Sequence, residues 1–273
     1  MKILAIALGI LGGALLLFIF VFAPGYASKK KRASFWGRNI AHRGQFEANQ
    51  SVPENSIAAF RRAVDAGYGV ELDVQLSKDG EVVVFHDDDL ARVCGVEKRV
   101  DALDLAELRE LSLCETDERI PLFTEVLEAL GGKVPVIVEL KNGPRNGELC
   151  RKTLDILKAY SGEYCIESFN PFIVAWFRFH APSVLRGVLS QPPKDFREAK
   201  MSGAVSTLLG NCAFNFAARP HFIAYRIAKK PLSIRLCENL GAMKVAWTAH
   251  DDKAESDHDV VIFEHYRPEV RFK

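Results

Sequence analysis

The sequence predicts a single (β/α)8 barrel preceded by one membrane-spanning helix. Three observations lead there: an uncharged apolar run near the start, eight short β-rich segments separated by amphipathic or loop stretches, and carboxylates and histidines at the ends of several of those segments. At 273 residues the chain can bury one large core, and barrels of this kind commonly run to about 250 residues. The composition is 48% hydrophobic and 26% charged with both signs mixed, which describes a globular chain rather than a disordered tail. A net charge of +1 lacks the basic footprint of phosphate-backbone recognition, so no nucleic-acid partner is expected. No glycine pattern of a dinucleotide or P-loop site is found, and no nucleotide cofactor is expected.

Residues 3–23 carry no charge, and a run of about 20 residues suits a helix crossing the hydrocarbon core. A cleaved signal peptide is the rival, with small Gly25 and Ala27 available for processing. Its apolar part is normally about 7 to 15 residues behind a basic start, whereas only Lys2 precedes this longer run. Residues 1–27 are therefore read as an anchor and 28–38 as a basic juxtamembrane linker containing Lys29-Lys30-Lys31-Arg32. By the positive-inside rule this places the rest of the chain in the cytoplasm, below the cell membrane. Six cysteines with no CxxC pair fit neither a disulfide framework nor a zinc template, and free thiols suit a reducing compartment.

The barrel domain is expected over 39–273, with strands near 39–42, 69–75, 134–140, 164–169, 183–189, 221–225, 243–248 and 258–263. Pro53 suits a helix first turn, and Ile57, Phe60, Ala63 and Val64 follow at helical spacing, which predicts a helix over 53–66. The Lys78-Asp79-Gly80 turn predicts a hairpin into an extra strand at 82–85. Residues 88–122, between that strand and the next barrel strand, read as a small helical insertion.

Glu71-Leu72-Asp73 is the chemical centre of the sequence. Residues two apart in a strand point to the same side, so both carboxylates enter the barrel while Val70, Leu72, Val74 and Leu76 face the helices. Buried carboxylates must be paired, protonated or bound to a cation. The following barrel strand repeats the device with Glu139 and Lys141 on one face. Glu71, Asp73 and Glu139 together make a hard-oxygen set suited to one divalent cation, Mg²⁺ or Ca²⁺. The alternative is a purely structural ion-pair network with Lys141 and Arg43. His42 and His86 each close a strand, and a pair of imidazoles can act as base and acid in displacement at phosphorus. Arg43 and Lys141 can hold phosphate oxygens, and Gly44 leaves room for a close backbone approach. His180, His221, His250, His258 and His265 have no carboxylate at a useful spacing and are read as ordinary hydrogen-bonded side chains.

His42-Arg43-Gly44, Pro53-Glu54-Asn55-Ser56, Glu71-Leu72-Asp73-Val74, Phe85-His86-Asp87 and Glu139-Leu140-Lys141, in this order and spacing, resemble the glycerophosphodiester phosphodiesterase family. The resemblance spans residues 40–141 and continues more weakly to the C-terminus. It implies a (β/α)8 barrel with a small insertion, His42 and His86 as the acid/base pair, and Glu71, Asp73 and Glu139 as metal ligands. It also implies Arg43 and Lys141 at the phosphate, with Glu54 and Asn55 in a matching element beside the substrate. A helix N-terminus near the phosphate would add a favourable dipole, and Glu54 would orient His42; the alternative for Glu54 is stabilisation of its own helix. Trp247, in the late Val245-Ala246-Trp247-Thr248 strand, stacks on the substrate or fills the barrel mouth. Ala249-His250 and the final Phe263-Glu264 depart from the family pattern, which bears on leaving-group choice. The expected reaction is hydrolysis of a glycerophosphodiester to glycerol 3-phosphate and an alcohol. A lysophospholipid substrate is the nearest alternative, and a catalytically retired membrane-bound binding module is a third.

Overall fold

Alternating apolar residues on the eight extended segments give a sheet whose two faces are both buried. The structure, a computed structural model, describes residues 2–273. In chain order the elements are α1 (Lys2–Phe22), α2 (Lys29–Arg32), β1 (Arg38–Ala41), α3 (Ile57–Asp65), β2 (Gly69–Leu76), β3 (Val82–Val84), β4 (Asp89–Leu90), α4 (Ala91–Cys94), β5 (Val96–Arg99), α5 (Leu105–Arg109) and α6 (Phe123–Leu130). They continue with β6 (Val136–Leu140), α7 (Asn146–Ala159), β7 (Tyr164–Ser168), α8 (Pro171–His180), β8 (Leu185–Ser190), α9 (Pro193–Glu198), α10 (Gly203–Gly210), α11 (Asn215–Ala218), β9 (Phe222–Arg226), α12 (Leu232–Asn239), β10 (Met243–Ala249) and β11 (Val260–Phe263). Strands β1, β2, β6, β7, β8, β9, β10 and β11 pair in parallel, and the β1–β2 and β1–β11 pairings close the barrel.

The eight expected strands are all present, with ends shifted by a residue or two. β1 is short, so it meets β2 only at Ile40↔Gly69 and Ala41↔Val70. The upper edge of β2 is left for antiparallel β3, which pairs Val74↔Val84 and so sets His86 above the lumen. On the outer face Val70, Leu72, Val74 and Leu76 pack with Phe60, Phe123, Leu130 and Leu157 in one buried layer. Each such side chain contributes about 1.5–3 kcal/mol on burial.

Two expectations need correction. The helix begins at Ile57 and not at Pro53, because Ser56 is the N-cap, its Oγ accepting from Ala59 N, while Asn55 sits at φ +54 and cannot continue a helix. The insertion is not simply helical: Gly95, in the left-handed conformation, ends α4 and turns the chain so that β5 pairs with β4. It has a core of its own, with Leu90, Val93, Val100, Leu108 and Ile120 packed on Val83 and Phe85.

The end of the segment expected as an anchor (25–27) and the segment expected as a linker (28–38) together form the barrel floor. Gly25 N donates to Pro220 O, Lys31 Nζ to Pro182 O, Arg32 Nη1 to Gly241 O and Gly37 N to Asp259 O, which are loops just before β9, β8, β10 and β11. Ala27 and Phe35 enter the lumen from below and join Ile40, Ile137, Leu185, Phe222, Val245 and Ile262. Phe35 is 2% exposed. Phe35→Ala in the full chain is therefore expected to cost about 3–5 kcal/mol, the usual range for removing a buried aromatic ring. The urea midpoint of the detergent-solubilised protein measures this, and an unchanged midpoint would show that the floor is not part of the core.

Candidate active site

Strand register brings the acidic residues together. Asp73 lies opposite Glu139 on β6, and Glu139 lies opposite Glu167 on β7. With Glu71 two residues below Asp73 on the same face, four carboxylates enter the upper lumen, all buried. Donor oxygens of Glu71, Asp73 and Glu139 lie within 4.8 Å of one another. Glu167 was not singled out from the sequence, where it is an isolated acid in an apolar strand; only the register across β6 and β7 reveals it.

The cluster shares its charge unevenly. Burial alone would raise the Asp73 carboxyl, but Lys141, His86, Arg43 and the Asn55 amide outweigh it and hold Asp73 well below the usual carboxylate range. Lys141 Nζ stands 3.3 Å from Asp73 Oδ1 and 2.9 Å from Glu139 Oε1, and Asn55 Nδ2 donates to Asp73 Oδ2 at 2.8 Å. Glu71 is pushed well above the ordinary range by burial and then by Asp73, Glu139 and Glu167, with the Arg43 amide as a partial offset. Its Oε2 accepts from that amide at 2.9 Å. Glu139 and Glu167 are also raised, burial being the first cause in both. A divalent cation fits this donor set: all the donors are hard oxygens, the carboxylates repel one another, and Glu167 Oε2 and Asn55 Oδ1 are buried with no hydrogen-bond partner.

His42 follows β1, whose register Ala41↔Phe263 sets it beside Glu264, the residue after β11. His42 Nδ1 hydrogen-bonds Glu264 Oε2 at 2.9 Å, and Nε2 points toward Glu71 Oε2 at 3.9 Å. Burial lowers the His42 pKa below its ordinary value and Arg43 adds to this, while Glu264 and Asp73 pull the other way. His86 Nδ1 bonds Asp87 Oδ1 at 2.6 Å, and Arg92 Nε donates to Asp87 Oδ2 at 2.7 Å. Each imidazole thus has a carboxylate at its back that fixes ring orientation. Glu264, read from the sequence only as a departure from the family pattern, and Arg92, absent from that reading, are functional candidates.

Glu54 does not reach His42. It accepts from Arg43 Nη1 at 2.7 Å and from Arg92 Nη1 and Nη2 at 2.8 and 2.6 Å, so it ties the insertion to Arg43. Asn55, 2% exposed, spends its amide on Asp73 and not on the solvent-facing side. The α3 N-terminus is already used, since Ala58 N donates to Glu118 and Ala59 N to Ser56. Gly44 is needed for the fold: its φ is +78, and a Cβ there would lie 2.9 Å from the Ala59 carbonyl carbon. His250 and His265, read as isolated, both face Glu264 at 3.7 and 3.8 Å, because their loops converge on the end of β11.

Above these groups lies a mouth of about 780 Å³ whose lining includes His42, Arg43, Gln191, Arg226, Trp247 and Asp251. Trp247 Nε1 donates to Ala224 O at 2.9 Å and its ring meets Phe169 edge-on at 5.5 Å, leaving one part of the ring on the mouth. Replacing Glu264 by Gln is expected to lower the His42 pKa further, because the lost carboxylate favours the imidazolium. Histidine NMR titration of the EDTA-treated protein measures the shift, and an unmoved His42 would remove Glu264 from the site.

Comparison with known proteins is consistent with this geometry. The family model described as "Glycerophosphoryl diester phosphodiesterase family" matches residues 42–264. A glycerophosphodiester phosphodiesterase of Caldanaerobacter subterraneus is 38% identical over 166 residues, covering 56% of this chain and 66% of that protein. Lysophospholipase D GDPD1 of Rattus norvegicus is 36% identical over 171 residues, covering 58% of this chain and 52% of its own length. The matched region thus spans between about half and two thirds of these curated relatives. The crystal structure of a glycerophosphodiester phosphodiesterase from Thermotoga maritima superposes with a TM-score of 0.62 at 26% identity, covering 82% of this chain and 93% of that one. An Oleispira antarctica phosphodiesterase, solved with sn-glycerol-3-phosphate, superposes at 0.69 with 24% identity over 85% and 94% of the two chains, which shows the shared fold.

Proposed function

Because the chain belongs to the glycerophosphoryl diester phosphodiesterase family, we propose that it hydrolyses a glycerophosphodiester to glycerol 3-phosphate and an alcohol, using His42 and His86 as the proton-transfer pair. The observation that carries this reading is the meeting of Glu71, Asp73 and Glu139 within 4.8 Å in the lumen directly below His42. Those three residues would hold one Mg²⁺ or Ca²⁺, with Glu167 beside them. When bound, the cation supplies charge neutralisation at the phosphoryl oxygens.

The chain's own residues account for the remaining chemistry. Arg43 and Lys141 bring positive charge to the phosphoryl group, and the buried ion pairs with Glu54, Asp73 and Glu139 fix their positions. One of His42 and His86 removes a proton from the nucleophile, and the other supplies one to the departing alkoxide. Glu264 and Asp87 hold the two rings in register for those transfers. Trp247 offers an aromatic surface to the glycerol or leaving group. We place α1 in a membrane as a single-pass anchor, with the barrel on the cytoplasmic side by its basic flank.

A lysophospholipid substrate is the second reading, favoured by the likeness to lysophospholipase D GDPD1. The mouth weighs against it: Phe46, Ile227 and Trp247 are its large apolar members among arginines, carboxylates and glutamines. Such a lining suits a short polar alcohol better than an acyl chain. A retired barrel is disfavoured by the full set of acid, base and ligand groups.

The test uses the full chain in detergent with glycerophosphocholine, and with lysophosphatidylcholine as the competing substrate, in Mg²⁺, Ca²⁺ or EDTA. Glycerol 3-phosphate release is expected with metal and is expected to vanish in EDTA and in Glu71→Ala. His42→Ala is expected to lower turnover by about 10²–10⁴-fold while metal binding, followed by calorimetry, persists. Well-folded protein that releases nothing with either metal would overturn the reading, and preference for the lysolipid would move it to the second.

A further inference from the structure

The end of the barrel opposite the mouth carries positive charge that the fold answers mostly with backbone carbonyls and with few carboxylates. Among the described residues, Lys29, Lys31, Arg32, Arg186 and Arg271 have no carboxylate within ion-pair distance (4.0 Å), although the chain as a whole is almost neutral. Arg186 is only 5% exposed; its Nε donates to Ala218 O and its Nη1 has no partner. These cations repel one another: burial and then Arg186 lower the Lys31 pKa, and burial followed by Arg186, Lys31 and Arg32 lowers His221 to about 3. Between α2 and the C-terminal tail a groove of about 450 Å³ is lined by Lys29, Arg32, Ala33, Trp36, Arg271 and Lys273. Arg32 and Lys273 lie 5.7 and 5.6 Å from the Trp36 ring centroid, so the two cations flank one aromatic plate.

The position of this groove relative to α1 is fixed by direct contacts. Arg219 Nη1 donates to Phe20 O and Ala23 O, both at 2.8 Å, and its guanidinium lies 4.6 Å from the Phe20 ring. It thereby covers carbonyls that the last turn of the helix leaves free. Gly25 N is bonded to Pro220 O, so the floor begins two residues beyond the last turn. If α1 spans the bilayer, the floor lies at the headgroup level, where exposed Tyr26 and Trp36 are the side chains expected at such an interface.

We propose that the barrel stands on the membrane on this floor, with Lys29, Arg32, Arg271 and Lys273 gripping the phosphate of an anionic phospholipid around Trp36, and with the catalytic mouth directed away from the bilayer. A headgroup is the occupant that fits, since the groove opens beside the helix that enters the lipid and three of its four cations, Lys29, Arg32 and Arg271, meet no carboxylate, Lys273 alone having one, Asp259 at 3.3 Å. The catalytic carboxylates sit near the opposite ends of the strands, roughly 15 Å higher for strands of this length. The site therefore draws its diester from water and not from the lipid beneath it. This inference rests on the reading of α1 as membrane-spanning.

Hydrogen exchange of the full chain in nanodiscs tests it, with phosphatidylcholine alone, with phosphatidylglycerol added, and with inorganic phosphate added to phosphatidylcholine discs. Expected is several-fold slower exchange of 26–37 and 268–273 on adding phosphatidylglycerol, lost in the Lys29→Gln, Arg32→Gln double variant, with mouth segments 226–230 and 247–251 unaffected. Slow exchange of 3–22 in every disc would show that the anchor is inserted. An inserted anchor with a floor indifferent to phosphatidylglycerol, or protection falling on the mouth, overturns the seat alone. Equal protection by inorganic phosphate replaces the lipid with a free anion and also overturns it. Freely exchanging 3–22 overturns the anchor reading and the seat with it.

Discussion

Like-charge crowding in the upper lumen is the constraint on which the rest of this structure depends. Two unit charges 4.8 Å apart repel by about 3 kcal/mol at an effective dielectric of about 20. Full ionisation of Glu71, Asp73 and Glu139 would thus consume a large share of the roughly 5–15 kcal/mol that holds a domain together. The fold answers with a specific set of neighbours. Lys141 bridges Asp73 and Glu139, Asn55 gives its amide to Asp73, and the Arg43 backbone N–H serves Glu71. Each answer dictates local backbone: Arg43 and Asn55 both take positive φ, and the α3 helix starts late because Asn55 is held in that conformation. The departures from sequence expectation around Pro53 are consequences of the acidic cluster and not defects of the helix signal.

Strand periodicity was legible in the sequence because it is a local property. The alternation in Gly69–Leu76 was enough to send Glu71 and Asp73 inward, and the same reasoning caught Glu139 and Lys141. What remained hidden depends on register between strands or on packing between loops. Glu167 becomes a member of the cluster only because β6 and β7 pair Glu139 with it. Glu264 meets His42 because the first and last barrel strands are neighbours, a relation between residues 222 positions apart. Arg92 sits in an insertion whose two-stranded ribbon has no apolar alternation, so neither its fold nor its reach to Glu54 and Asp87 was visible. The floor was hidden for a different reason: Lys29-Lys30-Lys31-Arg32 is basic enough to look like a solvated linker, and Phe35 alone betrays it.

The insertion reaches the two histidine- and arginine-bearing loops through Arg92. Arg92 joins Asp87, which backs His86, to Glu54, which backs Arg43. Its guanidinium is held protonated even more firmly than usual by hydrogen bonds to Glu54 and Asp87, against the opposing effect of burial. A planar fork that satisfies two carboxylates at once transmits orientation as well as charge. His86, just past β3, and Arg43, after β1, are thereby positioned together, although their strands do not pair with each other.

The two ends of the barrel separate two kinds of chemistry by the same device of burying charge. At the C-terminal end the excess is negative, and protein cations only partly offset it, which makes a donor set that suits a divalent ion. At the N-terminal end the excess is positive, and the last carbonyls of α1 and α11 offset it only in part, through Arg219, Arg178 and Arg186. Carbonyl dipoles carry fractions of a charge, so three arginines on two helix ends remain net cationic. Strands of fixed length hold these opposite excesses apart, and neither end can neutralise the other. The proposed headgroup seat and the proposed diester site then lie on opposite faces of one barrel, with α1 bonded directly to the face that carries the positive charge.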